Sequence, residues 1–122
     1  MTDLNIATIR IEKDVTIVSF NVASLTAGGG LEEVAQKISD LVKNQKPHNI
    51  VVDFQGIKFF SSQALGILLD ARKKVSAYNG NIAISGINPQ LYRVFKITNL
   101  DKIFKFYPDA SSAIADLEKQ TS

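Results

Sequence analysis

The chain contains no cysteine and a single histidine, His48, among its 122 residues. The lack of cysteine excludes disulfide frameworks, thiolate metal sites and cysteine nucleophiles, and the near-lack of histidine removes most metal and acid–base sites. Apolar runs are only a few residues long, far short of the roughly 20 residues that a membrane-spanning helix needs. The net charge of +2 is too small to indicate a nucleic-acid-binding protein. These absences favour a small soluble module without metal or cofactor over most classes of enzyme.

The length and composition are those of one compact domain. Hydrophobic residues make up 45% of the chain and charged residues 21%, which is typical of a globular protein rather than a disordered one. We therefore expect a single domain over residues 1–122, with a core from about residue 4 to residue 119. Residues 1–5 carry neither a basic segment nor a long apolar run, so they do not indicate a secretory signal. This predicts a cytoplasmic protein.

Alternation of hydrophobic patterns predicts an α/β fold in the order ββαβαβαβα. Residues 7–12 and 15–22 alternate with the period of a strand, and a short polar turn between them predicts an antiparallel hairpin in which Ala7, Ile9 and Ile11 share the buried side. The segment 50–54 is apolar on both faces, as in a central strand. Since the later strands alternate with helices, we expect a mixed sheet of about five strands with about four helices, ending in a strand at 103–107. Residues 24–30 and 55–60 are expected to be irregular connections, and Asn88 as N-cap with Pro89 at the first helical position predicts the start of the third helix.

The second predicted helix, from about Ser62 to Tyr78, has an unusual outer face. Leu65, Leu68, Leu69 and Val75 are expected to face the core. The opposite side would then carry a glycine and an isoleucine among polar residues, namely Gln63, Gly66, Ile67, Asp70 and Lys74. Such a face suits a docking surface better than a plainly solvated one.

Three other features of the sequence are candidate sites. The glycines at 28–30 precede a helix, where a phosphate could bind, but no Lys-Ser or Lys-Thr pair follows them and Glu32 and Glu33 carry negative charge there, so nucleotide binding is disfavoured. His48 has no partner pattern and is expected on a surface loop. Asp53 lies within an apolar strand, and we expect its carboxylate to support the following turn through hydrogen bonds.

The pair Ser61-Ser62 allows two interpretations. One of these serines can serve as a helix N-cap, a role worth about 1 kcal/mol. A hydroxyl at this place also lies where a phosphate group would meet the positive end of the helix dipole. The residue pattern alone leaves both interpretations open.

In this region the sequence resembles the STAS domain, in the form found in bacterial anti-sigma-factor antagonists. The family has an apolar strand ending in aspartate and then Asp-Ser-x-Gly-Leu-Gly at a helix start. Here these become Val51-Val52-Asp53-Phe54 and Ser61-Ser62-Gln63-Ala64-Leu65-Gly66. The resemblance continues through 79–81, 87–95, 97–100 and 103–106, and so covers nearly the whole chain.

The resemblance implies a protein switch rather than an enzyme. Antagonists of this family bind an anti-sigma factor that is also a serine kinase, and they thereby free the sigma factor. The kinase phosphorylates a serine that corresponds to Ser62, with Ser61 as the alternative acceptor, and a serine phosphatase restores the binding form. The residues expected to bind the partner are Ser24, Thr26, Ser61, Ser62, Gln63, Gly66 and Ile67. No contact with nucleic acid or insertion into a membrane is implied, and the oligomeric state is left open.

The sequence departs from the family pattern at three places. Ser61 replaces the usual aspartate, Gln63 and Ala64 differ from the usual small residue and glycine, and the expected Gly-x-Leu-Asp-like segment is absent from 21–26. These departures leave a second hypothesis open. The protein would then be a non-phosphorylated STAS scaffold, or a subunit of a signalling complex or of a lipid-transporting ATPase, in which Ser62 is only a helix cap.

Overall fold

The computed structural model describes residues 6–26 and 30–121, and these residues form a mixed α/β fold. The strands are β1 (Ala7–Glu12), β2 (Val15–Phe20), β3 (Ser24–Leu25), β4 (Asn49–Asp53), β5 (Phe59–Phe60), β6 (Asn81–Ser85) and β7 (Lys105–Tyr107). The helices are α1 (Leu31–Asn44), α2 (Ser62–Ser76), α3 (Pro89–Ile97) and α4 (Ala110–Thr121), with a 3₁₀ turn at Leu100–Lys102. In the described part of the chain, every helix is too short or too polar to cross a membrane.

The main sheet has five strands in the order β1-β2-β4-β6-β7. β1 and β2 pair antiparallel, whereas all the later pairs are parallel. The predicted hairpin, the mixed sheet and the four helices are therefore confirmed. Parallel neighbours require crossover connections, and α1, α2 and α3 supply them in turn.

Strand periodicity divides the core into two layers. Val18, Val52 and Ile84 point to one face, where they pack with α1, α2 and α3. Their neighbours Ile17 and Val51 point to the other face, where they pack against α4. As predicted, β4 is buried on both faces, because it lies at the centre of the sheet between β2 and β6.

The expectation for β1 was only half right. Ala7 is buried, but Ile9 is 37% exposed and Ile11 is 65% exposed. β1 is an edge strand, and Ile9 borders an open cavity beside Leu41 and Asn44 of α1 rather than being buried under that helix. Alternation therefore identified the strand correctly but not how far its inner side is buried.

Two segments that were expected to be irregular form a small second sheet. β3 and β5 pair in parallel, with Ser24 opposite Phe59 and Leu25 opposite Phe60. Strands of two residues are too short to show a period, so the sequence could not reveal them. The last strand is also shorter than predicted: it begins at Lys105, because Ile103 directly follows the 3₁₀ turn.

The buried side of α2 is rotated from the predicted one. Ala64, Leu68, Ala71 and Val75 are buried, whereas Leu65 is half-buried and Leu69 is 36% exposed. These four buried residues follow the i, i+4, i+7, i+11 spacing of one helical stripe. Because the small residues Ala64 and Ala71 face the core, the larger Leu65 and Leu69 lie at the edges of the buried stripe.

Candidate functional site

The start of α2 presents one serine hydroxyl to solvent and shields the other. Ser62 is the first helical residue and is exposed, whereas Ser61 occupies the N-cap position with extended backbone (φ −88°, ψ 167°). The side chain of Ser61 makes no capping hydrogen bond. Its Oγ is buried and has no hydrogen-bond partner among the described atoms. The hypothesis that Ser62 is the N-cap is therefore wrong. Ser61 occupies the N-cap position, but its side chain forms no capping hydrogen bond.

The segment around β5 is hydrogen-bonded to the segment around β3. The backbone N–H of Ser61 donates to the carbonyl of Leu25 at 2.9 Å, and that of Lys58 donates to the carbonyl of Ala23 at 2.7 Å. Ser24 and Thr26 therefore lie beside the start of α2, although more than 30 residues separate them from it in sequence. We call the surface formed by Ser24, Thr26, Phe59, Ser61 and Ser62 the Ser62 surface.

Phe59 is part of this surface, and sequence reasoning missed it. In the extended segment β5, Phe60 points inward and Phe59 points outward with 54% of its surface exposed. The ring of Phe60 packs edge-on against Phe54 and Phe95, with centroids 5.7 and 5.8 Å away. This anchoring holds the neighbouring Phe59 in solvent. In the sequence, the signal that could have revealed Phe59 is the pair of adjacent aromatic residues just before the helix start, since neighbouring residues of an extended segment point to opposite sides.

Asp53 fixes the turn that leads to this segment. It ends β4, and its Oδ1 accepts hydrogen bonds from Ser85 Oγ at 3.1 Å and from the Gln55 backbone N–H at 3.2 Å. A Cβ on Gly86, whose φ is +64°, would lie 2.9 Å from the same oxygen. These contacts are the ones that the expected supporting role of Asp53 requires.

Asn88 holds the other side of this turn. Its Oδ1 accepts from the Leu91 N–H at 2.9 Å, which confirms the predicted N-cap of α3. Its Nδ2 donates to the carbonyl of Ile57 at 3.1 Å. The turn is thus tied to both β6 and α3, and this rigid support positions Phe59 and Ser62 on the surface.

The remaining predicted binding residues lie along a groove between α1 and α2. Gln63, Gly66 and Ile67 line its first part, a cavity of about 450 Å³ with Leu31, Ala35 and Ile38 on the α1 side. Ile67 is half-buried and packs on the core, so it is less outward than the sequence suggested. Gln63 directly follows Ser62, so the groove starts at the edge of the Ser62 surface.

The groove continues past Lys74 into a second cavity of about 520 Å³. Lys74 crosses between the helices: its Nζ lies 2.9 Å from Asp70 Oδ2 and donates to Ser39 Oγ at 3.3 Å. The second cavity is lined by Val42, Ala77 and Tyr78 together with Lys43 and Lys46. We call the two cavities together the interhelical groove.

Tyr78 closes the far end of the interhelical groove. Its hydroxyl donates to the carbonyl of Pro47 at 2.9 Å, and burial raises the pKa of Tyr78 above its ordinary value. The phenol therefore remains a neutral donor at physiological pH. It ties the end of α2 to the loop that follows α1.

The remaining candidates from the sequence are His48 and the glycines at 28–30. His48 is exposed in the loop before β4, and the glycines at 28 and 29 lie outside the described residues. Across residues 6–26 and 30–121, there is no group of three or more histidine, aspartate or glutamate side chains placed to hold a metal ion. The notable features are thus surfaces: an exposed serine beside an exposed aromatic ring, and a groove.

Comparison with known proteins gives consistent relatives. A sequence model of the STAS domain matches residues 8–113. The anti-sigma F factor antagonist of Paenibacillus polymyxa is 25% identical over 85 residues, which cover 70% of this chain and 73% of that protein. The fold resembles that of an anti-sigma-factor antagonist (STAS) domain protein from Planctomyces limnophilus, with a TM-score of 0.83, 21% identity, and coverage of 90% of this chain and 96% of the other. It also resembles the phosphorylated form of the Bacillus cell fate determinant SpoIIAA, with a TM-score of 0.74, 17% identity, and coverage of 91% and 98%.

Proposed function

Because this chain belongs to the STAS domain family, we propose that it is an anti-sigma-factor antagonist. It binds an anti-sigma factor that is also a serine kinase, and so releases a sigma factor in the cytoplasm. Phosphorylation of Ser62 ends this binding, and a serine phosphatase restores it. The protein itself is a binding partner rather than an enzyme.

The observation that carries this proposal is the exposed hydroxyl of Ser62 at the first position of α2. A kinase transfers the γ-phosphoryl group of ATP to a serine oxygen that it can reach, with release of ADP and the hydroxyl proton. Ser62 is exposed, whereas Ser61 Oγ is buried. This difference favours Ser62 over Ser61 as the acceptor. The named function of the Paenibacillus polymyxa relative supports the choice of partner.

The energetics explain why such a switch acts on binding and not on folding. A phosphate at a helix N-terminus gains only about 0.3–1 kcal/mol from the helix dipole. A charge left unpaired in a protein interface costs about 3–5 kcal/mol, which lowers affinity by roughly two to four orders of magnitude. Beside Ser62, the exposed ring of Phe59 offers the kind of aromatic anchor that dominates interface energies. A phosphate next to that ring would bring an unpaired negative charge into the interface, and removing its water against the partner surface would weaken binding.

The direct test is the intact mass of the protein recovered from its own cells. We expect the added mass of one phosphate on the wild type and on Ser61→Ala, and its absence from Ser62→Ala. The Ser61→Ala variant is the matched control, since it removes a neighbouring hydroxyl of the same type. A phosphate that persists in Ser62→Ala and vanishes in Ser61→Ala would contradict the choice of acceptor.

A second candidate function is the non-phosphorylated scaffold or transporter subunit. The observation that favours it is Ser61, a residue with a buried and unpaired hydroxyl where the family usually has an aspartate that a kinase could contact. In that case no phosphate would be found in growth or under stress. A gene for a kinase-like anti-sigma factor beside this one would favour the first function, and a gene for a transport ATPase would favour the second.

A further inference from the structure

We propose that the interhelical groove binds an amphipathic helix of a partner protein, with the apolar face of that helix on the groove floor and acidic side chains against Lys43 and Lys46. The groove adjoins the Ser62 surface at Gln63, but the charge preference of its lysine end does not depend on the proposed switch.

The shape of the groove suits a helix. Its floor consists of the buried side chains of Leu31, Ile38 and Val42. Its walls are low because small residues line them, among them Ala35 and Gly66. Small residues at such positions let another helix approach closely, and ridges of a helix fit between two neighbouring helices.

Gly66 gives the strongest hint that something other than folding shapes this groove. Apart from its two chain neighbours and the backbone of its own helix, none of the described atoms lies within 4 Å of the place where a Cβ would be built on Gly66. The fold therefore does not need glycine there. A glycine inside a helix is less favourable than an alanine, because glycine loses more backbone freedom on folding. The vacant space it leaves is on the groove side of α2.

Charge is distributed unevenly along the groove. Glu32 lies at the end near the helix N-termini, and Asp70 is already paired with Lys74. At the other end, Lys43 and Lys46 have no acidic partner among the described side chains. Two helix C-termini lie nearby, each equivalent to about half a negative charge. Even so, the lysines leave this end positive, and a partner with acidic side chains there would be complementary.

The dimensions favour a helix over a small ligand. α1 has 14 residues, which gives the groove a length of roughly 21 Å, or about four turns of a partner helix. A site for a small molecule usually encloses most of the ligand surface. This groove instead stays open to solvent along its length, as in the recognition of an amphipathic helix by a groove.

The lysine end lies far from the proposed switch. About 16 residues of helical chain separate Ser62 from Tyr78, a distance of roughly 24 Å. This is more than twice the Debye length of about 10 Å at moderate salt. The preference of the lysine end for acidic over basic peptides should therefore change less than about twofold in a Ser62→Asp variant. Failure of the groove proposal and failure of the switch proposal can thus be told apart.

The test uses two stapled helical peptides of about 14 residues with the same apolar stripe. One carries glutamates at one end and the other carries lysines there. Titration of each into the full-length protein, followed by fluorescence anisotropy and by amide shifts in NMR, gives affinity and location. We expect the glutamate peptide to bind about tenfold more tightly, the sum of two modest surface ion pairs, with shifts confined to α1, α2 and the groove residues just beyond them, Lys46, Ala77 and Tyr78.

Two variants make the result decisive. Lys43→Glu with Lys46→Glu should reverse the preference between the peptides, whereas Lys102→Glu with Lys105→Glu, outside the groove, should leave it unchanged. Gly66→Leu should weaken both peptides at least tenfold by filling the groove, while circular dichroism shows an intact fold. Equal binding of the two peptides, an unchanged preference in the Lys43 and Lys46 variant, or shifts away from the interhelical groove would overturn the proposal.

Discussion

Replacing Ser62 by aspartate would place a permanent negative charge in the first turn of α2. That turn has no acidic residue at present, and Ser62 is exposed. The side chain of Ser62 makes no hydrogen bond that the change would break within the described structure. The neutral variant Ser62→Asn is a matched control, since asparagine has nearly the same shape as aspartate without the charge. The difference between the two variants isolates the effect of charge at this helix end.

The expected effect on stability is small and positive. A negative charge near a helix N-terminus gains about 0.3–1 kcal/mol, so we expect Ser62→Asp to exceed Ser62→Asn by about 0.5 kcal/mol in free energy of unfolding. The unfolding entropy of a 122-residue chain is roughly 0.26 kcal/mol/K, so this gain raises Tm by about 2 °C. At about 1 M salt the Debye length falls to about 3 Å, and most of the gain should disappear.

Thermal unfolding followed by circular dichroism at low and high salt measures both quantities. The reasoning fails if Ser62→Asp is less stable than Ser62→Asn by 1 kcal/mol or more. Ser62 would then not lie in an exposed first turn, and a phosphate there would act on the fold. If instead the stability rises as expected while binding to the kinase partner falls by at least a hundredfold, the switch acts on the interface.

Three further changes test the packing and the electrostatics of the fold. Phe95→Ala should lower the free energy of unfolding in urea by about 3–5 kcal/mol, because this fully buried ring contacts three others edge-on, and a loss below 1 kcal/mol would contradict that packing. Burial and the hydrogen bond that Tyr107 donates to Asp116 raise the pKa of Tyr107 to about 12 from an ordinary value of 10.0. Because the pKa of Tyr107 is higher in the folded state, this stabilisation is complete below pH 10 and is lost as the pH rises towards 12. Over that range the free energy of unfolding of the wild type should fall by about 1 kcal/mol more than that of Tyr107→Phe, after allowance for solvent screening. Parallel curves of stability against pH for the two proteins would refute this. Gly66→Ala should raise stability by about 0.5–1 kcal/mol in the same urea assay, and a loss would show that the helix needs glycine there.

Local patterns in the sequence were sufficient for most of the fold. The apolar segment around Val51 predicted a central strand because a strand covered on both faces has no polar side. Asn88 and Pro89 predicted the start of α3 because each satisfies a fixed backbone requirement of a helix N-terminus. The position of Ser62 at the start of α2 also followed from local pattern and family resemblance.

What the sequence determined, then, is the order of the elements and the place of the serine pair, because both depend on residues adjacent in the chain. Tertiary structure alone decided which serine is exposed, since Leu25 must first come within 2.9 Å of the Ser61 backbone. It also decided the rotation of α2 about its axis. Successive residues of a helix are about 100° apart around that axis, so a modest rotation changes which of them face the core. The packing of Ala64 against the core, not hydrophobicity, selects the buried side. The interhelical groove exists only once two crossover helices lie side by side on the same face of the sheet.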